Sequence, residues 1–206
     1  MNLEGLAQPQ ALRERSRALF DRWEAFAATP AASRLMFLWA FAESIFWPVS
    51  ANFLLAPLVM GSRSRFYVPL IASILGSAFG GSLVLLFSWL SPQQAIDLVT
   101  VLPFVPDRHL QVAELGLMAS GSNAFFIQPW SGVPFRIWAL LSGPVGVNVW
   151  LAIPVSILGR SFRMCVDAIA CRIVVAAYPA FVRDYSIILA GAYALWCLIL
   201  LFSFLR

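Results

Sequence analysis

Gln128-Pro129-Trp130-Ser131-Gly132-Val133-Pro134-Phe135-Arg136 interrupts a region that is otherwise apolar enough for a membrane. Two prolines and a glycine argue against one continuous helix through it. An arginine keeps its charge in a protein and must find an anion, acceptors or water wherever the fold puts it. Placing one deep in a hydrophobic span costs roughly 2.5–3.5 kcal/mol on insertion scales, so such a residue is functional by default. Far upstream, Glu43 poses the same problem with the opposite sign, inside the apolar block 35–60.

The chain around these two residues has 206 residues, 61% of them hydrophobic and 12% charged, with a mean hydropathy of +0.82. That balance points to an integral membrane protein, all-α and polytopic. All fourteen basic residues are arginine, and the formal charge is +4. The arginines are scattered between apolar spans, which fits contact with anionic headgroups. There is no basic stripe interleaved with aromatics, so nucleic acid is not an expected partner. Cys165, Cys171 and Cys197 lack CxxC spacing, and His109 is the lone histidine; the thiols read as small buried hydrophobes, with no metal or cofactor site. Met118-Ala119-Ser120-Gly121 lacks the first glycine of a GxSG-type intramembrane serine site, and no acidic pair has metal spacing. The expectation is a non-enzyme.

Residues 1–33 form the N-terminal segment, with an amphipathic surface helix over 10–28. Leu12, Leu19, Trp23 and Phe26 share one face, and Arg13, Arg15, Arg17 and Arg22 supply cations, with Arg17–Asp21 as an i,i+4 pair. Packing of this helix on the protein's own loops is the alternative. The polar residues around Arg13–Arg22 do not read as a signal peptide. Block 35–62 contains Glu43, Pro48 and Pro57, with Arg34 before it and Arg63 and Arg65 at its end. A single crossing would put basic flanks on both sides, whereas a re-entrant hairpin keeps all three arginines on one. Ser50 or Asn52 is positioned to cap the returning half-helix.

Residues 66–90 read as a spanning helix whose Gly76, Gly80 and Gly81 let another backbone approach closely; packing within the monomer and homo-oligomerisation both remain open. Ser91-Pro92 ends it, and 91–108, with Pro103, reads as a short surface helix and loop. Block 109–143 repeats the broken style of the first and ends at Gly143-Pro144. Residues 145–158 then cross back, 161–182 form a partly amphipathic connector, and 184–205 is the last spanning helix. The membrane domain is thus 34–182, followed by a C-terminal transmembrane helix over 183–206. Arginines at 34, 63–65 and 160–183 fall on one face, expected to be cytoplasmic together with the N-terminus. Two hairpins entering from opposite sides, each followed by a spanning helix, make an inverted-repeat layout, a transporter signature.

At the second break, Gly132 permits a tight turn and Pro134 suits the first turn of a half-helix. Arg136 then stands in that turn, beside free N–H groups and the positive end of the helix dipole, which together make an anion site suited to phosphate. Pairing with Glu43 or reaching for an interface is its alternative role. Glu43 either pairs with Arg136 across the hairpins or carries a proton. Trp47 and Trp130, beside the breaks, wall an apolar lipid path or simply sit at the membrane interface.

Three blocks resemble the DedA family, also called the SNARE-associated Golgi protein or VTT-domain family, and within it the short bacterial branch similar to YqaA proteins. They are Glu43-Ser44-Ile45-Phe46-Trp47-Pro48 with Leu55-Ala56-Pro57-Leu58; Gly76-Ser77-Ala78-Phe79-Gly80-Gly81; and Ser131-Gly132-Val133-Pro134-Phe135-Arg136 with Ser142-Gly143 and the basic turn Gly159-Arg160-Ser161-Phe162-Arg163. The likeness covers roughly 34–170. It departs where Ser50 and Asn52 replace a second proline and an acidic residue, where only Arg136 stands for two arginines, and where Leu85 or a neighbour replaces a tyrosine. The resemblance implies a transporter of the bacterial inner membrane that flips or scrambles a phospholipid or polyprenyl phosphate, with H+ or Na+ as coupling ion where a gradient drives it. The expected substrate-binding residues are Glu43, Pro48, Asn52, Gly132, Pro134 and Arg136. Structural or headgroup contacts are Gly76, Gly80, Gly143, Arg160 and Arg163. A scaffold or assembly role docked through 10–28, or transport of an ion or small anion, are the competing readings.

Overall fold

The computed structural model describes residues 4–62, 65–101 and 106–204; Arg63 and Pro103 lie outside the described residues. All regular structure among the described residues is helical. Helix α1 (Glu4–Ala27) meets α2 (Pro30–Ile45) at a 79° bend. Thr29 makes the corner: its hydroxyl accepts the N–H of Ala32 at 3.3 Å and donates to the carbonyl of Phe26 at 2.7 Å. Pro30 opens α2, where a missing N–H costs nothing. After a short break come α3 (Asn52–Gly61), α4 (Tyr67–Leu90), α5 (Pro92–Val101) and α6 (Asp107–Ser120). The second break carries a 3-10 turn at Gly121–Asn123, the single-turn α7 (Ala124–Ile127) and another 3-10 turn at Gln128–Trp130. Then follow α8 (Phe135–Ser142), α9 (Val149–Ala177), α10 (Pro179–Asp184) and α11 (Ser186–Phe204).

Among the described residues two helices are long and apolar enough to cross a membrane, α4 with mean hydropathy 2.1 and α9 with 1.4; the bent pair α1–α2 makes a third if it is one span. Of α11, the stretch Ser186–Ile199 counts among the shorter apolar helices. The expected division into a crossing over 145–158 and a connector over 161–182 is wrong. One continuous helix, α9, runs through both, started by Asn148, whose side chain accepts the N–H groups of Trp150 and Leu151. Gly159-Arg160-Ser161-Phe162-Arg163 looks like a helix end because its cations seem to need an interface. Arg160 pairs with Glu43 inside the protein and Arg163 with Asp167 one turn further along the same helix, half-exposed, so the helix continues.

Glycines set the helix crossings. A Cβ on Gly76 would collide with the carbonyl of Phe37, and one on Gly80 would come within 2.7 Å of the carbonyl of Phe41. The partners advance together along both chains, so α2 and α4 run parallel, and α3 must bring the chain back between them. On the other flank of α4, Gly81 meets the ring of Phe135, and the Ser88 hydroxyl donates to the Leu140 carbonyl at 2.6 Å while accepting the N–H of Gly143 at 2.9 Å. Helix α8 therefore also runs parallel to α4. Asn52 with Asp167 and Ser62 with Arg172 place α3 parallel to α9. Ser73 with Met164 and Gly81 with Arg160 set α4 and α9 antiparallel. Each returning half-helix thus packs along the long helix of the other block.

Two buried clusters fill this frame, one around Phe125, Phe135 and Leu140, the other around Met36, Leu55 and Leu58. Helix α1 ties to the C-terminal helices in a way the sequence reading missed. Instead of pairing with Asp21, Arg17 makes a two-pronged bond to Asp184 at 2.6 and 3.1 Å, and Asp21 is taken by Arg183 at 2.9 Å. Adjacent Arg183 and Asp184 on α10 offer a base and an acid together, and α1 answers with the complementary pair.

The glycine contacts yield a stability prediction. Gly76→Leu should lower the unfolding midpoint in detergent, at a cost of about 1–3 kcal/mol for an overpacked crossing, because the atom in the way is backbone. Gly191→Ala, where a Cβ meets nothing within 4 Å, should leave it unchanged or raise it. The α1 clamp yields a second, pH-dependent one. The hydrogen bond from Arg17 holds the Asp184 carboxyl below its ordinary value. A depressed carboxyl contributes stability above its unfolded pKa, about 3.9, and loses it as pH falls through the folded value. Spin labels at Ala18 and Ile188 should keep one distance from pH 8 to 5 and show a broadened distribution below about pH 4.

Candidate functional site

The two breaks meet. Helix α2 ends at Ile45, and Pro48 prevents an easy continuation, so the last carbonyls of its C-terminal end lack helical donors. The chain that satisfies them is the other broken block. Gly132, at φ 74, turns the backbone into the left-handed region that favours glycine, and Pro134 caps α8. Pro134 stands one residue before the helix and not in its first turn; Phe135 is the first helical residue and Arg136 the second. Arg136 is buried, and one terminal nitrogen donates to the carbonyls of Phe46 at 3.2 Å and Trp47 at 3.1 Å. A cation at a helix C-terminus satisfies both the hydrogen bonds and the dipole. Its Nε–H has no partner among the described residues.

Glu43 pairs with Arg160 and not with Arg136, the partner the sequence leaves open. Arg160 donates to the Glu43 carboxylate at 2.6 Å and to the Ser44 hydroxyl at 2.9 Å, and its guanidinium lies 4.4 Å from the centre of the Phe135 ring. Helix geometry explains the choice. Gly81 leaves room beside α4 for that guanidinium, with a Cβ there meeting an Arg160 nitrogen at 3.4 Å, while Arg136 is drawn to the orphan carbonyls beyond Glu43.

Between the breaks lies a cavity of about 300 Å³. All six of Glu43, Pro48, Asn52, Gly132, Pro134 and Arg136 line it, and Arg160 and Arg163 join them. Gly76, Gly80 and Gly143 are packing residues at helix crossings outside it. Three arginines and one glutamate therefore face a common space. Arg163 is partly offset by Asp167 at 3.8 Å, and Arg160 by Glu43. Arg136 donates to neutral carbonyls, and with three arginines against Glu43 the lining keeps excess positive charge. The first residues of α8, Phe135 and Arg136, line the cavity, at the end where a helix has no acceptors of its own for its N–H groups.

Asn52 does not cap α3. Its amide donates to the Asp167 carboxylate at 2.6 Å, and Ala51 occupies the cap position with no side-chain bond. Ser50 comes nearer the expected role, its hydroxyl accepting the N–H of Asn52 at 3.4 Å. Three contributors escaped the sequence reading. Gln128 is buried and donates to the Val133 carbonyl at 2.9 Å, which holds the second break closed. Ser44 and Asp167 complete the polar set of α2 and α9. A buried amide just before Pro129 is a signal for the first; nothing local marks the other two. His109 sits at the start of α6, apart from the cavity, and partial burial with Arg108 nearby holds its pKa below the ordinary value.

No family model, curated protein or solved structure matches the chain. A confined, positively charged space walled by Trp47, Pro129 and Phe135 suits an anion carried on an apolar body.

The Glu43–Arg160 pair is the site's most consequential bond for stability. Removing one partner of a buried pair costs about 3–5 kcal/mol, because the other charge is left uncompensated. Arg160→Ala should therefore lower the thermal midpoint far more than Arg163→Ala, whose guanidinium is partly exposed. Adding Glu43→Gln to Arg160→Ala should recover part of the loss, and a double-mutant cycle of thermal denaturation reads the coupling.

Proposed function

We propose that this protein is a transporter of the DedA type that moves an anionic lipid, a phospholipid or polyprenyl phosphate, across the bilayer. The observation that carries the reading is the cavity at the junction of two broken apolar blocks, with Arg136, Arg160 and Arg163 facing it against Glu43 alone. A phosphate there meets guanidinium donors and a helix N-terminus, the chemistry that phosphate binding uses elsewhere.

The architecture supports transport over simple binding. Two blocks of helix, break, returning half-helix and long helix exchange partners reciprocally: α3 lies along α9, and α8 along α4. The long helices are antiparallel; Gly80 admits the backbone of α2, and Gly159 admits that of α7 in the second break. In this reading each block is a re-entrant hairpin followed by a span, and the pair is an inverted repeat whose broken helices hold the cargo near mid-membrane. The start of α2 with Arg34, the start of α4 beside Arg65 and the end of α9 with Arg172 fall at one end of the bundle. That end is assigned to the cytoplasm, with the protein in the bacterial inner membrane and its N-terminus cytoplasmic. The cargo is a membrane lipid, and H+ or Na+ is the coupling ion where a gradient is used.

Translocation of a labelled anionic lipid in proteoliposomes tests the reading. Arg136→Ala and Glu43→Gln should each slow it at least about ten-fold, the effect of losing one charge-assisted bond. Arg136→Lys should be partly defective, because an ammonium cannot present the planar fork. Unchanged rates in both Arg136→Ala and Glu43→Gln refute it.

A further inference from the structure

The cavity is too small for a whole lipid. At about 300 Å³ it stands at the lower end of small-molecule sites, which span roughly 300–1,000 Å³. That accommodates a phosphate and a few attached atoms, and not a long hydrocarbon chain. Whatever carries the anion must leave its chain outside, across the cavity's edge. Trp47 is the aromatic residue that lines the cavity and also faces outward, with 39% of its surface exposed, and its neighbour Phe46 is 60% exposed.

Resting on the function proposed above, we infer that Phe46 and Trp47 form the rim over which the hydrocarbon chain of an anionic lipid leaves the headgroup cavity. The rings are set for it. They stand edge to face with centres 6.4 Å apart, and Trp39 braces Trp47 from behind at 5.7 Å. Both backbone carbonyls of this pair are held by Arg136. The guanidinium that gives the cavity its uncommitted charge therefore also fixes the apolar rim, so headgroup site and chain surface move as one piece. Two large rings half out of the core are costly to expose to water and inexpensive to expose to hydrocarbon. A soluble anion has no use for them.

The experiment compares two probes with the same phosphate monoester, glycerol 3-phosphate and dihexanoyl phosphatidic acid. Binding is measured by calorimetry on the full chain in nanodiscs of zwitterionic lipid, with empty nanodiscs as blank. The wild type should bind the phosphatidic acid at least about ten-fold more tightly, the effect of burying roughly two methylenes. The Phe46→Ala/Trp47→Ala double variant should lose at least about five-fold of that preference, with glycerol 3-phosphate affinity moving less than two-fold. Phe46→Ala alone, at the more exposed ring, should lose part of it and serves if the double variant misfolds. Equal affinity of the wild type for both probes assigns the cavity to a soluble anion and overturns the inference, as does a preference that survives the ring substitutions. Failure of both probes to bind overturns the anion-site reading itself, and this inference with it.

Discussion

A helix that stops inside an apolar protein leaves carbonyls that water does not reach, and some other part of the chain has to satisfy them. Here that part is Arg136. Its bonds to the carbonyls of Phe46 and Trp47 join the end of α2 to the start of α8 and make the two breaks a single structure. Without such a partner, both breaks would be backbone defects. Joined, each supplies what the other lacks: the first a negative helix end, the second a cation on a positive one. The cavity is the space left over where these ends face each other around a guanidinium.

The junction holds because the long helices sit close. Gly76 and Gly80 let α4 approach α2 backbone to backbone, and Gly143 lets the end of α8 reach Ser88. Between apolar helices in lipid, close packing and buried hydrogen bonds take over the role that water exclusion plays in soluble cores. Gly81 shows how packing and chemistry meet: its missing side chain is the room into which Arg160 and Phe135 fit. In the second long helix the residue after the crossing glycine, Gly159, is Arg160 itself, and there the space is used for charge.

Much of this is legible in the sequence because breakers and charges in apolar blocks have few explanations. Pro48, Gly132 and Pro134 locate the breaks, and the glycine spacing of Gly76 and Gly80 locates a tight crossing. What is not legible is which charge meets which. Glu43 has two arginines within reach of its block, and only the three-dimensional course of α9 decides for Arg160. The same uncertainty hid the length of α9, since Arg160 and Arg163 resemble a helix end until their carboxylates are known. On α1 the local rule of i,i+4 pairing favoured Arg17 with Asp21, and a pair of partners distant in sequence on α10 displaced it. Exposed local pairs contribute little, so a two-pronged bond to a neighbouring helix prevails.

The pairing of Glu43 with Arg160 also sets the terms on which an anion can enter. With the bond intact, Arg160 is largely spent, and the free positive charge of the cavity rests on Arg136 and on Arg163 as shared with Asp167. An anion that approaches Arg160 competes with the Glu43 carboxylate for one guanidinium. Arg136 makes no such bond to Glu43: it donates to the carbonyls of Phe46 and Trp47, and the Glu43 charge acts on it only through space. The two arginines are therefore not duplicates. Arg136 offers a charge tied to the frame of the two breaks, while Arg160 offers one already bonded to the Glu43 carboxylate.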